Sequence, residues 1–149
     1  MHKCKTNCKI CPYVKTKKTL KSKYTNTTIP ITKHFDCQTS NLVYLVECTK
    51  CNDQYIGQTK HTLEERGNQH LGYIRNNNQK QATGRHFNLP GHKISHFTIS
   101  VLETVYIKDL RYRERRESHW IDKFNLVYKG MNKKRWLSLL IAVKKFFNV

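Results

Sequence analysis

Two groups of side chains carry donor atoms at intervals that suit a metal ion. Cys48 and Cys51 close a Cys-x2-Cys in "ECTKCND", and His86 and His92 stand at either end of "HFNLPGH". Two thiolates and two imidazoles suit a tetrahedral structural Zn2+ site. A loop built around Pro90–Gly91 has little other reason to hold two histidines at ligand spacing. The plainer reading is a pair of reduced thiols and two surface histidines. Cys4, Cys8, Cys11 and Cys37 form the second group. Four thiolates could close another zinc site, with His2 or His34 able to replace a ligand. The alternative there is a flexible, metal-free tail.

A third set suits hydrolysis. Tyr44, Tyr55, Arg66, His70, Glu117 and Asn132 supply two phenols, a guanidinium, an imidazole, a carboxylate and an amide. Phosphodiester cleavage needs a group to take a proton from water, a fixed cation for the developing phosphorane charge, and a carboxylate for a divalent metal. All but Asn132 also have an ordinary reading. The tyrosines fit as strand aromatics, Arg66 as a surface charge and His70 as a satisfied interior histidine. Glu117 in "RERRES" could pair with Arg113 or Arg116. Glu114 is a rival carboxylate for the metal.

The elements that must position these groups are legible from pattern. "LVYLVEC" is β-branched and aromatic and reads as a buried strand; "TKCND" is a turn; "QYIGQT" is a second short strand that ends near Gly57. The pair forms an antiparallel hairpin. Thr62 and Glu65 have capping-box spacing at the start of a helix. Leu63, Arg66, His70 and Ile74 share a face of that helix, and Gly67 weakens it by about 1 kcal/mol relative to Ala. "QATGRHFNLPGHK" reads as a short helix or turn broken at Pro90–Gly91, and "HFTISVLE" as a third strand. Asp109 can cap a long helix with Leu110, Arg113, Glu117, Trp120, Ile121 and Phe124 along one side. Trp120, Ile121 and Phe124 are read as core.

Length, charge and composition frame these elements. At 149 residues the chain forms one domain with extensions. The net charge of +18, from 28 basic and 10 acidic residues, attracts polyanions, nucleic acid first and an acidic membrane surface second. Residues 1–40 are basic and cysteine-rich and read as a poorly packed linker with a zinc knuckle. Its lysines Lys15, Lys17, Lys18, Lys21 and Lys23 form either a DNA clamp or a solvated tail. Residues 41–133 form the domain proper, and 134–149 a basic amphipathic tail. Met1 leads into "HKCKTNCK" without an apolar signal core, so close cysteine pairs favour metal over disulfide. "WLSLLIAV" is too short to span a membrane.

The order of the hydrolytic residues resembles the GIY-YIG endonuclease domain. Leu42-Val43-Tyr44 stands for its first motif and Tyr55-Ile56-Gly57 for its second. Arg66 and His70 match the helix arginine and the position one turn on, and Glu117 and Asn132 match the metal-binding glutamate and the final asparagine. Two cysteines between the motifs, "HF…H" downstream and a Cys-rich leader make the chain similar to the GIY-YIG domains of Penelope-like retroelements. The resemblance implies an α+β fold with a small three-stranded antiparallel sheet flanked by helices. It implies a DNA-nicking endonuclease using Mg2+ or Mn2+ at Glu117, Zn2+ as scaffold, an upstream reverse transcriptase as partner, and a nuclear location. Tyr44 would deprotonate or orient water, Tyr55 would line the site, Arg66 would stabilise the phosphorane, His70 would assist proton transfer and Asn132 would support the backbone. A catalytically dead, zinc-dependent DNA-binding remnant is the alternative.

Overall fold

The computed structural model describes residues 1–2, 4 and 8–132. The expected amphipathic tail at 134–149 lies outside the described residues. The elements are β1 (Thr19–Lys21), β2 (Thr28–Pro30), β3 (Ser40–Cys48), β4 (Gln54–Thr62), α1 (Leu63–Arg75), α2 (Ala82–His86), β5 (Phe97–Thr104) and α3 (Leu110–Lys123). β3, β4 and β5 form one antiparallel sheet in the order β4-β3-β5, and β1 pairs with β2 in a separate hairpin. This is the expected α+β class.

The apolar run of β3 is explained by its central place. Alternate residues of a strand face opposite sides. Leu42, Tyr44, Val46 and Cys48 enter a core shared with Ile10, Leu71, Ile74, Phe87 and Phe97. Val43 and Leu45 enter a second core with Leu20, Trp120, Ile121, Phe124 and Leu126. Burying each such aliphatic side chain stabilises by about 1.5–3 kcal/mol, so both layers depend on β3. The β3–β4 turn closes with Asn52 at φ 61, a left-handed conformation that Asn tolerates better than most residues.

Helix α1 begins as its sequence demands. Thr62 Oγ1 accepts from the Glu65 amide at 3.2 Å, and a Glu65 carboxylate oxygen accepts from the Thr62 amide at 3.2 Å. Asp109 caps α3 by accepting from the Arg111 amide at 3.3 Å. Arg113, Glu117, Trp120 and Ile121 form the buried face of α3, but Leu110, in the first turn, is 51% exposed on the wall of an open cleft.

Residues 15–30 depart from the loose linker expected. The β1–β2 hairpin buries Leu20, and Ser22 Oγ donates to the Phe124 carbonyl at 2.9 Å. Three-residue strands carry too little alternation to stand out amid lysines. Among the described residues no helix is long and apolar enough to cross a membrane.

Candidate active site and metal centres

Tyr44 reaches its position because of what faces it. Its register partner on β4 is Gly57. A β-carbon there would lie 2.4 Å from the Tyr44 hydroxyl oxygen and 2.5 Å from Cζ, so the phenol lies against the bare backbone of β4. Gly57 therefore sits inside β4, which runs on to Thr62, and does not end the strand. The extra residues, Lys60 to Thr62, were unrecognised because they are polar.

Helix α1 supplies the phenol's partners. Arg66 Nε donates to the Tyr44 hydroxyl at 2.9 Å, and His70 Nε2 stands 2.8 Å from the same oxygen. His70 Nδ1 lies 2.8 Å from Thr83 Oγ1 on α2. Burial first, and then the Arg66 charge, hold His70 well below the usual imidazole range, so it is neutral at pH 7. One tautomer then satisfies every group. Arg66 donates to Tyr44, Tyr44 donates to Nε2, and Nδ1–H donates to Thr83. Burial raises the Tyr44 pKa well above the phenol range, opposed by Arg66, so the phenol keeps its proton at rest. Burial alone would weaken the Arg66 cation, but the phenols around it more than offset that and Arg66 is raised. Tyr55 completes the cluster, its ring 6.3 Å from Tyr44 and 5.8 Å from His70.

Glu117 comes from the other layer. It is buried on α3, which covers the Val43–Leu45 face, yet its charge is felt at the Tyr44 phenol, whose pKa it helps raise. The two layers meet at the outer edge of β4. Arg113, one turn before Glu117, donates to Gln58 Oε1 at 3.0 Å and to Asn41 Oδ1 at 2.9 Å. Arg116 pairs with Glu103 at 2.9 Å. An open cleft of about 770 Å³ runs along this edge, and Lys60, His61, Arg66, Lys108 and Arg113 line it, with no acidic residue among the described residues of its walls. Lys60, Lys108 and Arg113 were missed as site residues, since helical and strand periodicity marks faces and not which loops converge.

Asn132 clamps the second motif. Its Oδ1 accepts from the Ile56 amide at 2.9 Å and its Nδ2 donates to the Ile56 carbonyl at 3.0 Å, filling the ladder position an absent strand would take beside β4. Asn132→Ala leaves both buried backbone groups unpaired and is expected to destabilise the domain by about 2–4 kcal/mol, read as a lower urea midpoint at unchanged slope.

Both candidate ligand sets converge. The donor atoms of Cys48, Cys51, His86 and His92 all lie within 4.8 Å of one another, as do those of Cys4, Cys8, Cys11 and Cys37. From Cys11 Sγ the other three sulfurs lie at 3.2 to 3.6 Å, close to the about 3.8 Å edge of a tetrahedron built on zinc–thiolate bonds. In the first set Cys51 Sγ lies 3.4 Å from His86 Nε2, and buried His92 Nε2 has no hydrogen-bond partner. An orphaned imidazole nitrogen aimed among two thiols and a second imidazole fits a metal ligand. The outer nitrogens face acceptor oxygens, the kind of partner that orients a ligating histidine. His86 Nδ1 is 3.8 Å from Asp53, which accepts from Tyr24 at 2.8 Å, and His92 Nδ1 is 3.3 Å from the Pro90 carbonyl. Burial pushes the Cys48 and Cys37 thiols up and Cys8 to about 11, a penalty that a divalent cation reverses by stabilising thiolate.

The N-terminal lysines divide. Lys15 is engaged by Glu47 at 2.7 Å, and Lys23 donates to the Cys51 carbonyl at 2.9 Å, beside the candidate metal ligands and at the far end of β4 from the cleft. Local partners, invisible in a charge count, engage both, although Lys23 stays exposed. Lys17, Lys18 and Lys21 are exposed.

Comparison with known proteins gives a family and a fold. The family described as the GIY-YIG catalytic domain matches residues 40–132. The chain is similar in fold to the structure of the catalytic domain of homing endonuclease I-TevI. That match has a TM-score of 0.51 at 24% identity and covers 60% of this chain and 92% of the other. No curated protein matches the chain.

Proposed function

The chain belongs to the GIY-YIG catalytic domain family, and on that premise we propose that it is a metal-dependent endonuclease that nicks DNA. The observation that carries this reading is the Tyr44 hydroxyl, bonded by Arg66 and His70 beside a cationic cleft. Water loses a proton to the Tyr44 oxygen as Tyr44 passes its own to neutral His70 Nε2. The high Tyr44 pKa favours this concerted transfer over a standing phenolate. Arg66 balances charge on the phosphorane, and Thr83 fixes the His70 tautomer. Tyr55 lines the site. Glu117 would hold one Mg2+ or Mn2+, a hard cation that tolerates a single carboxylate and several waters and neutralises phosphate charge when bound.

The two cysteine-bearing centres are assigned structural Zn2+. The position of Cys48 and Cys51 between the two motifs, opposite His86 and His92, supports a Penelope-like retroelement origin. With it come an upstream reverse transcriptase as partner, a nuclear site of action and a basic leader at residues 1–40. Supercoiled plasmid tests the activity. The wild-type chain should give open circles with Mg2+ or Mn2+, and folded Arg66→Ala and Glu117→Ala should not. Salt-sensitive binding without cleavage under either metal would select a DNA-binding remnant.

The cleft is the DNA groove in this reading. Each lysine that neutralises a phosphate adds about 0.9 to the slope of log affinity against log salt. Lys60→Ala and Lys108→Ala should each lower that slope by about this amount, measured by fluorescence anisotropy in Ca2+. Lys17, Lys18 and Lys21 are proposed as outlying contacts with smaller effects in the same titration.

A further inference from the structure

Helix α1 carries Arg66 and His70, and the N-terminal cysteine cluster grips it at two places. Ile10 sits between Cys8 and Cys11 and is fully buried. It fills the space beside Gly67, where a β-carbon would lie 3.0 Å from Ile10 Cγ2 and 3.1 Å from Cδ1. Gly67 directly follows Arg66 and lies three residues before His70. The second grip is at the start of the helix. The Glu64 amide donates to the Cys37 carbonyl at 2.8 Å and the Leu63 amide to the Thr39 carbonyl at 2.9 Å, satisfying donors that the first turn leaves unpaired. The glycine that weakens the helix is thus the seat of a side chain from the cluster.

We propose that Ile10 is a positioning residue for the Arg66–Tyr44–His70 constellation, through which the Cys4, Cys8, Cys11 and Cys37 centre sets the seat of α1. The chain of contact is continuous. The centre fixes the turn bearing Ile10 and the carbonyl of Cys37; these fix the helix; the helix fixes two groups that must both reach one phenol oxygen. A small rotation of α1 would lengthen both bonds. The proposal rests on the nuclease reading for its kinetic effect, but the seating of α1 is independent of it.

Three measurements on the full chain test it: zinc per chain, hydrogen exchange of the α1 amides, and single-turnover nicking. Ile10→Ala should keep wild-type zinc and DNA affinity, raise exchange at 66–71 by tenfold or more while β3 amides hold, and lower the nicking rate about tenfold. Ile10→Val should recover most of both. Gly67→Ala should disturb exchange at 66–71 in the wild-type background and much less beside Ile10→Ala, because the two groups compete for one space. Cys8→Ser should reproduce the Ile10→Ala exchange pattern while losing one zinc. The proposal is overturned if Ile10→Ala leaves exchange at 66–71 within twofold of wild type. It is also overturned if exchange rises equally in β3, since that marks general loosening. If the wild type does not nick, the nuclease reading fails, and the exchange arm still decides whether Ile10 seats α1.

Discussion

Tyr44→Phe is expected to lower the nicking rate by about 10²- to 10⁴-fold, the range for removing a positioned acid–base group. The substitution keeps the ring against Gly57 and deletes one oxygen. That oxygen joins Arg66 Nε at 2.9 Å and His70 Nε2 at 2.8 Å. On the proposed mechanism its loss severs the route from water to imidazole, and it leaves the buried His70 nitrogen unpaired at about 1–3 kcal/mol, while half-buried Arg66 can turn to solvent. A metal-bound hydroxide formed without protein help would leave Tyr44→Phe nearly as fast as wild type, so single-turnover rates distinguish the two. The same relay sets a pH dependence. His70 is depressed in the fold relative to 6.5 in an unfolded chain. Below that value the unfolded chain binds a proton that the native site refuses. Stability is therefore full above about 6.5 and declines as pH falls toward the folded pKa. Activity declines in the same direction as Nε2 becomes occupied.

Loss of the Cys48, Cys51, His86 and His92 centre should have the largest structural effect. It joins the β3–β4 turn to α2 and to the turn that follows. Helix α2 carries both His86 and Thr83, the partner of His70, so one five-residue helix serves the proposed metal centre and the proposed relay. Apparent zinc-binding energies of about 10–16 kcal/mol match or exceed a domain's whole stability of about 5–15 kcal/mol. Cys51→Ala should hold one zinc fewer and melt about 10 °C or more lower. A melting point unchanged in Cys51→Ala, or in chelator-treated wild type stripped of zinc, would remove the structural role assigned to this centre.

What the sequence made legible follows from what periodicity and spacing encode. The capping box of Thr62 and Glu65, the hairpin and both ligand sets are local or pairwise patterns, and the structure contains each of them. Tyr44, Arg66 and His70 could be placed on a strand and a helix face, and they meet. Partners set by long-range packing were not legible. Thr83 and the pairing of Asn132 with Ile56 depend on how α2 and the segment after α3 return to the sheet. Gly67 looks like a defect until Ile10, 57 positions away, is seen beside it. Lysines expected to bind DNA include Lys15, which Glu47 engages, whereas the cleft draws Lys60, Lys108 and Arg113 from three separate elements or loops.

The claim at the centre is that Tyr44 and Arg66 act as one unit on one phosphate. Single-turnover nicking of supercoiled plasmid by Tyr44→Phe, Arg66→Ala and the double variant, each at wild-type zinc content, tests it most directly. Residues that act as a unit are strongly non-additive. The double variant should therefore be about as slow as the slower single. Losses that multiply, or a single variant nicking at the wild-type rate, would contradict a shared hydrolytic centre.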